Sequence, residues 1–323
     1  IGKKDVNSLS TGKYLPNPRI PVLFSAAVLA AALLPLIMDP FTTISATNVF
    51  IYIVITLSWA LFSGPTQYIS IATAAFFGIG IYTSALAGEL MPFPLVVCLG
   101  GVVSFVLALL VGLSTLRLKG MYFTIFTFGL SELIRHFVLW WEVVMTGTVG
   151  RWVVSVDPIP VYYTMLVILV VTISFCFFIG RSRYGLALRS IGQSEEAADH
   201  MGINITAVKI NVFAITAFFA GATGSTMATR WTYIDPSIAF NPLFSFMPVL
   251  MAIFGGIGSI TGQIIGAAVL TLLADLLLTE FPYYYMLIYG IILVVVILFL
   301  PGGIVGLWDS MKKRRRTETN ENT

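Results

Sequence analysis

The chain has 323 residues, of which 58% are hydrophobic and 10% are charged, and its formal net charge is +3. Soluble domains carry about 25% charged residues, so this composition excludes a water-soluble globular protein. Long apolar runs predict membrane-spanning helices rather than a β-barrel, whose strands alternate polar and apolar residues. The sequence therefore predicts an all-α polytopic membrane protein with one membrane domain.

About ten hydrophobic segments are long enough to be read as membrane spans, with eight to ten as the range for the fold. Proline or glycine marks several of their ends. The glycines between the eighth and ninth segments, including Gly255 and Gly256, could instead mark half-membrane helices beside a cavity. The predicted spans are 21–38, 44–62, 65–87, 94–116, 120–141, 161–180, 207–230, 243–258, 262–279 and 285–300.

The basic residues predict the orientation of the chain. Ten spans place both termini on one side, and most lysines and arginines fall there, including a tail cluster and those of the polar loop 181–206. Arg151 and Arg230 fall on the opposite side. The positive-inside rule then makes both termini and the loop cytoplasmic. The predicted organisation is a leader at 1–20, a transmembrane domain at 21–308 and a basic tail at 309–323.

A short helix is predicted inside the loop 181–206. Ser194 is a suitable N-cap, acidic residues follow it in the first turn, and Gly202 suits the left-handed position that ends a helix. Such a helix is too short to be stable alone, so the bundle, a partner or both must hold it. Alternatively it is a plain connecting loop. The candidate residues are Ser194, Glu195, Glu196, Ala197, Ala198, Met201 and Gly202.

Charged residues inside predicted spans form a second group of candidates. Glu132 and Arg135 are three residues apart on one helix, so they share a face and can pair. Charges at membrane depth mark a pathway, a relay or a structural pair. We expect either a structural ion pair here or a role in substrate passage. Asp275 has no charged neighbour in the sequence, so we expect it to face a partner subunit or a watery cavity.

The loop motif resembles a known one. Glu196-Ala197-Ala198 followed by Gly202 resembles the EAA-x-x-x-G loop of ABC importer permeases, whose coupling helix docks on an ATPase, although the Ile-x-Leu-Pro end of that motif is absent. The wider pattern resembles the LivM-type permeases of branched-chain amino-acid transporters, a family that includes urea importers. The resemblance covers roughly 44–308 and is carried, in order, by 74–82, 116–123, 181–191, 197–204, 219–221, 255–267 and 300–304.

This resemblance implies a non-enzymatic permease subunit of an ABC importer in the plasma (inner) membrane of a prokaryote. The implied partners are a second permease, two ATP-binding subunits and an extracytoplasmic substrate-binding protein, docked chiefly on loops 142–160 and 231–242. ATP and Mg²⁺ are expected in the partner subunits, because this chain has no P-loop motif. We expect no cofactor, metal site or nucleic acid partner for the chain itself, which contacts membrane lipid.

The substrate stays open among branched-chain amino acids, urea and other small amides or amino acids. The family usually has glycine after Thr66 and a glycine followed by Gln or His at positions 72 and 73, which are Ala72 and Thr73 here. The candidate pathway residues are Gln67, Ser70, Thr73, Gly255 and Gly256. A different class also stays open, an ion-coupled secondary transporter with Glu132 and Asp275 as ion sites.

Overall fold

The computed structural model describes residues 19–36, 39–115, 118, 120–299 and 303–306. Leader residues 1–18 and the tail 309–323 lie outside them, as do Arg117 and Lys119. Two short strands, β1 (Arg151–Trp152) and β2 (Tyr233–Ile234), accompany the helices. The α-helices are α1 (Arg19–Leu33), α2 (Pro40–Thr66), α3 (Thr73–Ala87), α4 (Phe93–Thr115), α5 (Met121–Trp141), α6 (Pro158–Arg181), α7 (Arg183–Gln193), α8 (Glu195–His200), α9 (Ile205–Ala228), α10 (Pro236–Ala239), α11 (Leu243–Gly255), α12 (Ile260–Glu280) and α13 (Tyr285–Phe299).

Each predicted apolar segment overlaps a helix, and the protein is an all-α polytopic membrane protein. Within the described residues, six helical segments are long and apolar enough to cross a membrane. The apolar stretches Ser25–Leu36 and Thr73–Ala87 are shorter. The six are α2, α4, α6, α9, the run Pro236–Gly255 formed by α10 and α11, and α12.

The prediction of a turn at 63–64 and of a continuous span over 65–87 was wrong. Helix α2 continues through Pro65 to Thr66, an extended segment follows, and α3 begins at Thr73. Carbonyls near the end of α2 accept hydrogen bonds beyond the proline. The Thr66 hydroxyl donates to the Phe62 carbonyl at 2.6 Å, and the Gln67 N–H donates to the Ser63 carbonyl at 3.1 Å.

Helix α9 lies at the centre of the bundle, where glycines let α3 and α4 approach it closely. A Cβ added to Gly80 would lie 1.9 Å from the Gly221 carbonyl oxygen. The Ser225 hydroxyl donates to the Gly80 carbonyl at 2.8 Å, and Ser104 donates to the Phe76 carbonyl at 2.9 Å. Small residues and interhelical hydrogen bonds of this kind hold helices together in lipid, where no hydrophobic drive acts between them.

Glycines also form the crossing of α11 and α12. A Cβ at Gly255 would lie 2.0 Å from the Gly262 carbonyl oxygen, so two backbones are in direct contact there. Gly256 has φ of 107°, a region in which an L side chain is strained. The half-membrane alternative does not hold for α12, because its 21 residues extend about 31 Å at 1.5 Å per residue.

The contacts define two ends of the bundle. At the end that carries α7 and α8, here the α8 end, the backbone at Gly192 lies against the Pro65 carbonyl at the end of α2. Tyr68 contacts Phe123, in the first turn of α5, at the same end. At the other end, here the ribbon end, β1 and β2 pair antiparallel and join the regions after α5 and α9. Consecutive long helices therefore connect opposite ends.

Candidate functional site

The loop 181–206 contains a short helix whose ends are set by its own residues. The Ser194 hydroxyl accepts a hydrogen bond from the Ala197 N–H at 3.2 Å, which caps the start of α8. Gly202 has φ of 78°, the left-handed conformation, at its end. The Gly202 N–H donates to the Asp199 carbonyl at 2.8 Å, and the Ile203 N–H donates to the Ala198 carbonyl at 3.1 Å. These two bonds are the Schellman pattern that closes a helix.

Helix α8 has a buried side and a free side. Ala198 is fully buried against the bundle, together with Ile191 of α7. Glu196 and Ala197 are exposed, and Met201 is 65% exposed, so the Met201 side chain does not pack against the bundle. Acidic and apolar side chains of α8 and its C-cap are therefore both exposed on a surface that the described residues leave open.

Glu195 ties the buried side of α8 to two other elements. It forms an ion pair with Lys209 of α9, whose side chain is almost completely buried, and accepts a hydrogen bond from the Tyr68 hydroxyl at 2.7 Å. The Lys209 ammonium also lies 4.0 Å from the centre of the Tyr68 ring. Burial raises the pKa of the Tyr68 phenol and the bond to Glu195 raises it further, so the phenol stays a donor.

Tyr68 belongs to the segment 67–72, the non-helical connection between α2 and α3. Gln67 opens it in the left-handed conformation, with φ of 60°. The backbone groups that a helix would satisfy internally are satisfied by side chains of neighbouring helices. Irregular backbone in a membrane protein requires this. The bonds are Thr124 to the Ile69 carbonyl at 2.8 Å, Trp59 to the Ser70 carbonyl at 2.7 Å, Ser245 to the Ile71 carbonyl at 2.9 Å and the Ile71 N–H to Thr127 at 3.1 Å.

A cavity of about 550 Å³ opens beside this segment at the α8 end. Gln67 lines it, with the end of α6, one side of α7 and the connection between α11 and α12. Ser70 and Thr73 line a separate void of about 10 Å³ next to Trp59. Of the predicted pathway residues, Gln67 therefore lies at the large cavity and Ser70 and Thr73 lie deeper, whereas Gly255 and Gly256 lie at the α11–α12 crossing.

The charged residues of the spans have partners within the chain. Glu132 pairs with Arg135 at 2.8 Å, and the two side chains are 27% and 28% exposed. The Arg135 guanidinium also lies 3.4 Å from a ring nitrogen of His136. Asp275 accepts a hydrogen bond from Asn48 at 3.0 Å, and Asn48 accepts one from Arg230 at 2.8 Å. Asp275 thus has a partner 227 positions away in the sequence.

The loops after α5 and α9 form one surface at the ribbon end. The Val153 N–H donates to the Thr232 carbonyl at 3.0 Å, next to the paired strands. Glu142, which is fully buried, accepts a hydrogen bond from the Gly150 N–H at 2.8 Å and lies 3.6 Å from the Arg151 guanidinium. Trp152 is nevertheless 72% exposed. The loops predicted separately as docking regions are therefore a single ordered surface.

Comparison with known proteins gives the family. The family model described as branched-chain amino acid transport system / permease component matches residues 41–297. The high-affinity branched-chain amino acid transport system permease protein LivM of Salmonella typhimurium is 28% identical over 88% of this chain and 74% of its own length. LivM of Escherichia coli strain K12 is 27% identical over the same shares.

Permease protein LivH of the Escherichia coli K12 branched-chain system is 33% identical over 44% of this chain and 45% of its own length. No solved structure matches the chain significantly. The family match covers most of the described helices, from the first residues of α2 into α13. The chain therefore belongs to the family of permease components of branched-chain amino acid transport systems.

Proposed function

We propose that this permease works in an ABC importer of a prokaryotic plasma (inner) membrane and that α8 is its contact with the ATP-hydrolysing subunits. The observation that carries the proposal is the construction of α8. It is capped at both ends, presents Glu196 and Met201 outward, and is tied through Glu195 to the non-helical segment 67–72. A helix built this way can receive a push on its free side and pass it to the bundle on its buried side.

In the proposed arrangement the chain crosses the membrane about ten times, with both termini and α8 in the cytoplasm. The described cations support this orientation. Arg181, Arg183 and Arg189 are exposed at the α8 end. At the ribbon end, Arg151 pairs with Glu142 and Arg230 bonds to Asn48, so these cations are engaged within the protein. An excess of exposed basic residues on one side is the pattern of a cytoplasmic face.

The proposed substrates are branched-chain amino acids, which are the compounds named for the LivM and LivH relatives. The cavity at the α8 end supports this choice. The cavity is wide, with a volume of about 550 Å³, and its lining combines polar groups, among them the Arg189 guanidinium, with aliphatic side chains, including Leu57, Leu61, Ile179, Leu188 and Ile257. Glutamines at positions 67, 193 and 263 add hydrogen-bonding groups. A urea path would be narrower and more uniformly polar.

Three kinds of partner complete the proposed importer. The two ATPases bind ATP and Mg²⁺ and dock on the free side of α8. A second permease covers α5, whose Glu132–Arg135 pair is partly exposed at mid-helix and would be costly against lipid tails. The extracytoplasmic binding protein docks on the ribbon end, where Trp152 and Met145 are exposed. Closure of the ATPases would displace α8 and move the helices that it contacts.

The coupling role is tested by Glu196→Ala and Gly202→Ala in the assembled complex. Glu196→Ala removes the exposed acidic group. Gly202→Ala places an L side chain at a left-handed position, a strain of roughly 1–2 kcal/mol on a six-residue helix. We expect both variants to lose most leucine uptake and most stimulation of ATP hydrolysis, measured together in proteoliposomes.

Glu89→Ala is the matched control, because Glu89 is an exposed carboxylate between α3 and α4, at the opposite end from α8. It should leave both activities at the wild-type level. Wild-type uptake and ATPase stimulation in Glu196→Ala and Gly202→Ala would show that α8 does not couple. Uptake by this chain alone on an ion gradient would instead support a secondary transporter.

A further inference from the structure

We infer that Glu195, through Tyr68, positions the non-helical segment 67–72 and so passes movement of α8 toward the start of α3. The inference rests on the proposed function and adds the connection inside the permease. Glu195 receives donors from two elements far apart in the sequence, Lys209 on α9 and Tyr68 between α2 and α3. It is thus the point where α8, α9 and the segment 67–72 meet.

The two adjacent glutamates of α8 face different surroundings. Glu196 is exposed and is available to a soluble partner. Glu195 is turned inward, and its side chain is 16% exposed in the pair with Lys209. Neighbouring residues on a helix point about 100° apart, so one residue can receive a force while the next transmits it. The motif glutamate and the transmitting glutamate are therefore different residues.

The burial of Lys209 stabilises its ion pair with Glu195. Its side chain is 2% exposed, and a buried ammonium without a counter-charge is strongly destabilising. Movement of α8 therefore displaces Glu195 and Lys209 together, and Tyr68 either follows or loses its hydrogen bond. The segment 67–72 has no helical ladder of its own, so side-chain contacts set its position. Tyr68 is one of those contacts, and Thr73, at the first turn of α3, lines the internal void.

Tyr68→Phe tests the connection, because it removes the hydroxyl and keeps the ring over Lys209. Tyr162→Phe is the matched control: this buried hydroxyl donates to the Ala31 carbonyl at 2.7 Å, at the ribbon end. In the reconstituted complex we expect the leucine imported per ATP hydrolysed to fall about tenfold in Tyr68→Phe. Losing one hydrogen bond to a charged group shifts the equilibrium between coupled and uncoupled positions of the segment by about that factor. The ratio should not change in Tyr162→Phe. A wild-type ratio in Tyr68→Phe overturns the inference.

Amide hydrogen exchange of the purified permease gives a second readout that needs no transport. Exchange in 67–72 should accelerate in Tyr68→Phe and stay unchanged in Tyr162→Phe. Equal exchange in both variants means that Tyr68 does not position the segment. Failure of the proposed function would appear elsewhere, as normal uptake in Glu196→Ala.

A double variant, Glu195→Ala with Lys209→Met, removes the same connection without leaving a buried charge. Adding Tyr68→Phe to it should lower the import ratio no further, because residues that act through one contact are not additive. A full additional loss would show that Tyr68 acts independently of Glu195.

Discussion

Single backbone atoms set the distance between the central helices. At Gly224 an added Cβ would lie 2.0 Å from the Phe77 carbonyl oxygen, and at Gly100 it would lie 1.9 Å from the Ser225 hydroxyl. Because these contacts are backbone to backbone or to a short side chain, no flexible group can move away to make room. A methyl group here must separate two helices.

Gly80→Ala should therefore destabilise the permease. Its Cβ would overlap the Gly221 carbonyl, and overpacking of a core typically costs about 1–3 kcal/mol. We expect a clear fall in the Tm of the detergent-solubilised protein. Gly129→Ala is the control, because nothing lies within 4 Å of a Cβ at that position of α5. Similar Tm values for the two variants would mean that α3 and α9 are not held this closely.

Residue-level contacts can be predicted from the sequence where the partners are close along the chain. The caps of α8 and the Glu132–Arg135 pair follow from spacings of three to five residues, which helix geometry fixes. The bonds of Glu195 to Tyr68 and of Asp275 to Asn48 join residues 127 and 227 positions apart. Only tertiary packing decides such contacts. The sequence offers one indication that Glu195 is turned inward. Lys209 lies in an apolar run, where a buried ammonium needs a counter-charge.

At the scale of elements, the connection between α2 and α3 depends on hydroxyl groups from other helices. Ser245 of α11 donates to the Ile71 carbonyl at 2.9 Å and accepts from the Ala74 N–H at 2.8 Å. The Ser245 hydroxyl thus satisfies a backbone carbonyl at the end of the extended segment and a backbone N–H in the first turn of α3. This arrangement explains why the sequence, which reads as a continuous apolar span, does not reveal the break.

Ser245→Ala should loosen this connection. It leaves the Ala74 N–H without its acceptor and removes one donor from the Ile71 carbonyl. An unpaired buried group costs about 1–3 kcal/mol. We expect a lower Tm and faster amide exchange in 67–74. Ser174→Ala makes the same chemical change on α6, where the hydroxyl bonds to the Val170 carbonyl of its own helix. If Ser174→Ala has the same effect as Ser245→Ala, the connection does not depend on the α11 hydroxyl.

At the scale of the whole molecule, the long helices α6 and α9 each join the α8 end to the ribbon end. Helix α6 begins at Pro158, next to the ribbon, and ends at Arg181, next to α7. Helix α9 begins beside α8 and ends just before β2. The lengths of the apolar segments predict the long helices. They do not predict that the two ribbon loops pair, because each loop is polar and irregular when read alone.

The proposed orientation predicts which surfaces a membrane-impermeant thiol reagent reaches. With Cys98 and Cys176 replaced by alanine, Thr148→Cys reports on the ribbon end and Met201→Cys on α8, since both positions are exposed. We expect the reagent to label position 148 in right-side-out vesicles and position 201 in inverted ones. α6 lies between them and should cross once. Labelling of both positions from the same side would rule out that crossing, and the reverse pattern would place α8 outside, where no cytoplasmic ATPase could reach it.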